Sequence, residues 1–201
     1  MATTSKIDDI TFRKLGPLDR PAFEEHLLSL NPASRRSRFG MSTTDSFLVD
    51  YAERCIILNA TIHGAMHQGR LVGVAELRPF TALPSREAEI AFSVSEDWRN
   101  VGIGTALFAK TLRSARNRGY TRLFMTCIAQ NGPMQSLARK FSAEILVDVD
   151  QSIGVVEAMH PTIISLLMEA LDDASTLAQM AFATSSRLAR RKGFASRRKV
   201  A

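Results

Sequence analysis

The sequence predicts a layered α/β domain, on three observations. Runs rich in β-branched and apolar residues alternate with helical apolar stripes, in the order strand, two helices, hairpin plus strand, helix, strand, helix, strands. Two glycines, Gly102 and Gly104, join a strand directly to a helix. The 201 residues are 45% apolar and 23% charged, which suits one globular domain with a core and an appendage.

Taken in order, ITFRKL (Ile10–Leu15) alternates and reads as a first strand. Gly16-Pro17 breaks it, and Asp19 can cap a helix with Pro21 in its first turn. Phe23, Leu27, Leu28 and Leu30 supply that helix's apolar stripe, and NPASRRSRFG reads as an interruption after it. A second helix runs over Asp45–Arg54, with Phe47, Leu48 and Tyr51 on one face. Two β-rich runs flank Gln68-Gly69-Arg70 and predict a hairpin. AEIAFSVSE is richly apolar, as a central strand is. Leu107, Phe108, Leu112 and Ala115 then share a helical face, and Gly119 ends that helix. TRLFMTCIA reads as a strand, GPMQSLARKF as a short helix, and AEILVDV…IGVVEAM as two closing strands, so the domain spans residues 1–160. Residues 161–186 continue with Ile163, Ile164, Leu167, Met168 and Leu171 at helical spacing. They form a helical extension that packs back on the domain or, as the alternative, makes a homodimer contact.

The net charge of +6 is unevenly placed. Residues 187–201 carry seven Lys and Arg and no acid, which leaves residues 1–186 at −1. That basic tail is expected to be disordered and available to an anionic partner, whether RNA, a membrane or an acidic protein. Apart from Phe194 it has no aromatic residue for base stacking. Cys55 and Cys127 stand far apart, so no disulfide framework is implied, and Cys127 reads as a buried thiol. No apolar run approaches the ~18–20 residues of a membrane span, and the start lacks a secretory signal's apolar core. The expected location is the cytoplasm.

Glycines at a strand-to-helix turn let the backbone approach a bulky anion, often a phosphate. A dinucleotide fingerprint fails here, because Leu107 stands where a third glycine belongs and Tyr120-Thr121-Arg122 stands where a ribose-binding acid belongs. A Walker loop fails because no lysine precedes Thr105. The hexamer Arg99-Asn100-Val101-Gly102-Ile103-Gly104, R-x-x-G-x-G, resembles the coenzyme A pyrophosphate loop of the GNAT N-acetyltransferase superfamily. The strand before it, the strand and helix after it and the order of elements from Ile10 to Met159 match as well. The resemblance implies a GNAT fold: a mixed, mostly antiparallel central sheet flanked by helices. Within the superfamily, AEIAF, Asn131-x-x-Met134 and PASRRSRF are most similar to the acetyltransferase domain of bacterial protein lysine acetyltransferases.

The resemblance implies acetyl-CoA as co-substrate, a primary amine as acceptor (a protein lysine or a small amine), and direct attack of the amine on the thioester. Pantetheine would pair with the backbone of Phe92, Ser93 and Val94. The pyrophosphate would sit on Arg99, Asn100, Val101, Gly102, Ile103, Gly104 and Thr105, with Asn131 meeting the cofactor's amide arm or capping the next helix. The general base would be Glu89 or Glu76. Many superfamily members carry a tyrosine seven residues after the asparagine as acid for the leaving thiolate; here that residue is Ala138. The alternative is therefore an acyl-CoA-binding sensor or scaffold without turnover. Arg139 and Lys140 could meet cofactor phosphates or face water. Arg35, Arg36 and Arg38 form either a solvated loop or a border of the acceptor groove. Lys110, Arg113, Arg116 and Arg118 read as a wet helix face. No metal is expected: His63 and His67 lie in a hairpin with no third ligand evident.

Overall fold

The computed structural model describes residues 6–57, 60–80, 86–128, 131–141, 144–147, 151–158 and 160–178. The basic tail and residues 179–186 of the expected extension lie outside the described residues.

The first strand, β1, is Thr11–Leu15. Asp19 ends the turn that follows it: its carboxylate accepts the Gly16 N–H at 2.9 Å and pairs with both terminal nitrogens of Arg13 at 2.6 and 2.8 Å. Helix α1, Arg20–Leu28, begins there. The segment read as an interruption is a helix, α2, Pro32–Phe39. Its ends carry the signals a helix needs. Asn31 Oδ1 accepts the Ser34 N–H at 2.8 Å, Pro32 starts the first turn, and Gly40 closes the last at φ 73°. This segment shows no apolar stripe in the sequence, because α2 buries no whole residue. Helix α3 is Asp45–Ile57.

The hairpin forms as expected, with β2 at Thr61–His67, β3 at Arg70–Pro79 and left-handed Gln68 and Gly69 between them. Strand β4 is Glu87–Val94, α4 is Ile103–Asn117, β5 is Arg122–Ile128 and α5 is Gly132–Lys140. Strands β6, Glu144–Val147, and β7, Gln151–Glu157, close the domain. A last helix, α6, covers 163–178.

The sheet order is β1-β2-β3-β4-β5-β7-β6. Every neighbouring pair is antiparallel except β4 and β5, which α4 connects in parallel. The mixed, mostly antiparallel sheet flanked by helices is the one that the GNAT resemblance implied. One face buries Phe23, Leu27, Leu48 and Ala52 of α1 and α3 against Ile62 and Val74. The other buries Phe108, Leu112 and Ala115 of α4 against Ile90, Leu123 and Met125.

Of the four cations read as a wet face, Lys110, Arg113 and Arg118 are ion-paired instead. Lys110 and Arg113 reach Asp172 of α6 at 2.8 and 3.2 Å. Glu169 of α6 accepts from Lys14 at 2.6 Å, Ser114 at 2.8 Å and Arg118 at 2.9 Å. Burial raises the Glu169 pKa, but these donors and Asn117 outweigh it and hold the carboxyl well below the usual range. Sequence pattern alone could not show this, because the partners lie some fifty residues away. Glu169→Ala should therefore loosen α6 and cost about 1–3 kcal/mol. Hydrogen exchange should show 163–178 losing protection while β2 and β3 keep theirs.

Candidate functional site

Strands β4 and β5 pair over only three positions, Glu87↔Arg122, Ala88↔Leu123 and Glu89↔Phe124. Beyond Glu89 they part. The rest of β4, Phe92, Ser93 and Val94, lines a groove of ≈ 910 Å³. Ile128 lines it from β5, and Asn131, Met134, Leu137 and Lys140 line it from α5 and its cap. The N-terminus of α4 closes one end through Arg99, Asn100, Gly102, Gly104 and Thr105.

That end suits an anion. The first N–H groups of a helix have no intrahelical acceptor, and the helix dipole adds positive potential there. Gly102 sits at φ 94°, in the left-handed region, and Asn100 at φ 60°. Gly73 of β3 lets α4 come close: a Cβ there would stand 2.9 Å from Ile103 Cγ2. Gly104 differs, since a Cβ there would meet nothing nearer than Leu137 at 3.8 Å. The protein's own packing does not require glycine at that position. A bulky ligand in the groove would.

The chain belongs to the acetyltransferase (GNAT) family. The family's model matches residues 19–142. Solved acetyltransferase structures share the fold. The GNAT domain of PAT from S. lividans is 17% identical at TM-score 0.64, over 73% of this chain and 89% of that one. The PaiA N-acetyltransferase from Thermoplasma acidophilum, in complex with coenzyme A, is 18% identical at TM-score 0.57, over 74% and 98%. A ribosomal-protein-alanine N-acetyltransferase from Brucella melitensis is 19% identical at TM-score 0.59, over 74% and 99%. No curated protein sequence matches the chain.

Of the residues that the GNAT resemblance nominated for the cofactor, Phe92, Ser93, Val94, Arg99, Asn100, Gly102, Gly104, Thr105 and Asn131 come together on the groove. Val101 and Ile103 pack in the core cluster beside Leu107 and are not among the residues that line the groove. Asn131 caps α5, accepting the Met134 N–H at 3.2 Å, and its amide donates to Ser37 Oγ at 2.8 Å. Lys140 lines the groove; Arg139 does not.

One wall is α2, whose helical form the sequence reading missed although it offered Arg35, Arg36 and Arg38 as a border of the acceptor groove. Leu30, Asn31, Ser34, Ser37 and Arg38 line the groove from this side. Three contacts tie α2 across it: Arg99 to Ser34 Oγ at 2.7 Å, Asn31 to Glu96 at 2.8 Å, and Asn131 to Ser37. The Asn31-Pro32…Gly40 bracket was the signal that could have found this helix. The three arginines of α2 do different things. Arg35 holds the carbonyls of Leu28 and Leu30 and pairs with Asp45, Arg36 sits in the last turn, and Arg38 goes to Glu76.

The two candidate bases stand in unlike surroundings. Glu76 has no solvent exposure and no part in the groove lining. Arg38 donates to one oxygen at 2.6 Å, and Tyr51 and Cys55 donate to the other at 2.5 and 3.2 Å. Burial raises the Glu76 pKa, but the charges of Arg38 and Arg78 and these hydrogen bonds bring it below its ordinary value. In turn, burial and the adjacent Glu76 charge push the Cys55 thiol up to about 12 and the Tyr51 phenol well above its usual range. Glu89 is half-buried where the strands part, paired with Arg78 at 2.9 Å, and also lies outside the groove lining. Ala138 is buried in the core, and Tyr51 is committed to Glu76, so neither brings a phenol into the groove.

Two histidines, His26 and His63, are buried, and burial favours their neutral form. His26 Nδ1 donates to the Leu71 carbonyl at 3.2 Å, so Nε2 accepts from the Ser93 hydroxyl at 2.9 Å, directly behind the groove. His63 bonds Ser114, and His67 packs against Trp98 with ring centroids 4.4 Å apart. Burial is the main reason that His26 falls to about 4 and His63 to about 3.

Two outcomes follow from these buried groups. Below about pH 6.5 the unfolded chain takes up protons at both histidines that the folded chain refuses, so stability falls with pH. The loss should reach roughly 4 kcal/mol by about pH 5, with Asp19, Glu76 and Glu169 adding theirs only below the ordinary carboxylate range. Urea midpoints across this window check it, and His63→Gln should halve the slope. Separately, Glu76→Gln leaves the Arg38 guanidinium buried without its counter-charge and should cost about 3–5 kcal/mol in thermal or urea unfolding.

Proposed function

We propose that the protein transfers an acetyl group from acetyl-CoA to a primary amine by direct attack on the thioester. The observation that carries this reading is the parting of β4 from β5 onto a groove closed by the α4 N-terminus. An extended pantetheine amide chain can complete the open edge of β4, and the diphosphate can take the free amides after Gly102 with Arg99 and Lys140 beside it. A main-chain N–H near Ser93 or Val94 then faces the thioester oxygen and stabilises the oxyanion.

Glu89 is assigned as the general base, acting through a water at the apex where the strands separate, with Arg78 fixing its carboxylate. Glu76 supports the site from beneath by anchoring Arg38 and hence α2. With Ala138 at the tyrosine position, solvent in the open groove protonates the leaving thiolate. The acceptor is a protein lysine or a small amine. The narrower resemblance to protein lysine acetyltransferases rests on Glu89 within AEIAF, on Asn131-x-x-Met134 and on PASRRSRF.

The missing phenol favours a second reading, an acyl-CoA-binding module without turnover. The two are separated by following free thiol release from acetyl-CoA across a panel of amines, peptide lysine included. Release with at least one amine is expected. Glu89→Gln should lower kcat by about 10²-fold or more while the acetyl-CoA Kd from calorimetry stays within about twofold. Tight acetyl-CoA binding with no release across the panel would establish the binding module instead.

A further inference from the structure

Helix α6 is docked with its sides exchanged. A helix on a protein surface ordinarily turns its apolar stripe to the core and its charges to water. The three charged residues of α6, Glu169, Asp172 and Asp173, face the domain and are held by Lys14, Lys110, Arg113 and Arg118. Its large apolar residues face out: Ile163 is 78% exposed, Ile164 70%, Leu167 59%, Met168 50%, Leu171 70% and Leu177 68%. The result is an uncharged apolar ridge about 24 Å long. The acids that would make such a ridge repel an anionic surface are the ones neutralised underneath.

We propose that this ridge, together with the basic stretch 187–201, seats the protein on an anionic phospholipid surface. None of the helices among the described residues is long and apolar enough to cross a membrane, so the fitting geometry is a helix lying in the interface plane. One apolar signal alone gives marginal, reversible attachment, and a polybasic cluster is the usual second signal. Here Arg187, Arg190, Arg191, Lys192, Arg197, Arg198 and Lys199 follow the ridge with no acid among them. Eight residues separate α6 from the first of these cations, so the two signals are neighbours in the chain. Other occupants use half of this chemistry. A second copy would cover the ridge and leave the cations unmatched. A nucleic acid would match the cations and leave the ridge in water.

The test is co-sedimentation of the full chain with phosphatidylcholine vesicles, with and without about one-third phosphatidylglycerol. The protein should pellet with the anionic vesicles only, less so as salt rises. Leu167→Glu with Leu171→Glu should weaken that binding at least about tenfold, and so should Arg190→Gln, Arg191→Gln and Lys192→Gln together. Both sets change surface positions or the tail, and cooperative thermal unfolding checks that each variant is folded. Failure to pellet with anionic vesicles overturns the proposal, as does binding that ignores the ridge substitutions. A dimer in analytical ultracentrifugation that Leu167→Glu dissociates, with no vesicle binding, assigns the ridge to a second copy. Tail-dependent RNA binding without vesicle binding assigns the cations to nucleic acid.

Discussion

Three residue pairs of parallel ladder hold the two halves of the sheet together, and then the strands separate. A sheet parted in this way leaves main-chain donors and acceptors of β4 without a neighbouring strand, which buried backbone does not tolerate. The surrounding elements answer to that constraint. The turn after β4 passes through left-handed Asn100 and Gly102 so that α4 starts at the mouth of the gap. Gly73 lets that helix end approach the sheet. Asn131 starts α5 on the far bank, and α2 lies across the opening with polar contacts to both sides. The groove is less a pocket carved into a fold than a ladder left unfinished.

Beneath the opening, the Arg38–Glu76 pair decides whether α2 stays in position. Its ion pair is fully enclosed, with Tyr51 and Cys55 completing the carboxylate's hydrogen bonds. Phe39, Phe47 and Tyr51 pack edge-on or stacked around it. An enclosed pair of this kind is expensive to assemble and more expensive to leave half-made, so it serves as a peg of fixed geometry more than as a source of net stability. Through it a helix that buries no whole residue is held in a defined place over the groove.

The sequence made the central part of this readable because the turn chemistry is local. R-x-x-G-x-G at Arg99–Gly104 carries its structural context with it, and strand, turn and helix appear where that spacing requires. What escaped notice was decided by distant partners. PASRRSRF looks like a loop because it is polar on every side, yet its caps make it a helix and Glu76 anchors it from a strand nearly forty residues on. Glu76 reads as a reactive carboxylate until Arg38, Tyr51 and Cys55 are seen to occupy it. Lys110, Arg113 and Arg118 read as solvated until α6 brings acids to them. His26 carries no motif, and only the fold sets it against Ser93. Local pattern reports the elements; charge pairing across the fold chooses which of their faces remain available.

The two cysteines have a practical corollary. Cys55 and Cys127 are both buried, and burial lifts both thiols above their ordinary pKa. Reactivity toward disulfide reagents belongs to the thiolate, which both sites suppress. In the folded state the polypeptide should therefore react slowly with Ellman-type reagents. A colorimetric trace recorded with it reports sulfur set free from a small molecule, with little background from the polypeptide itself.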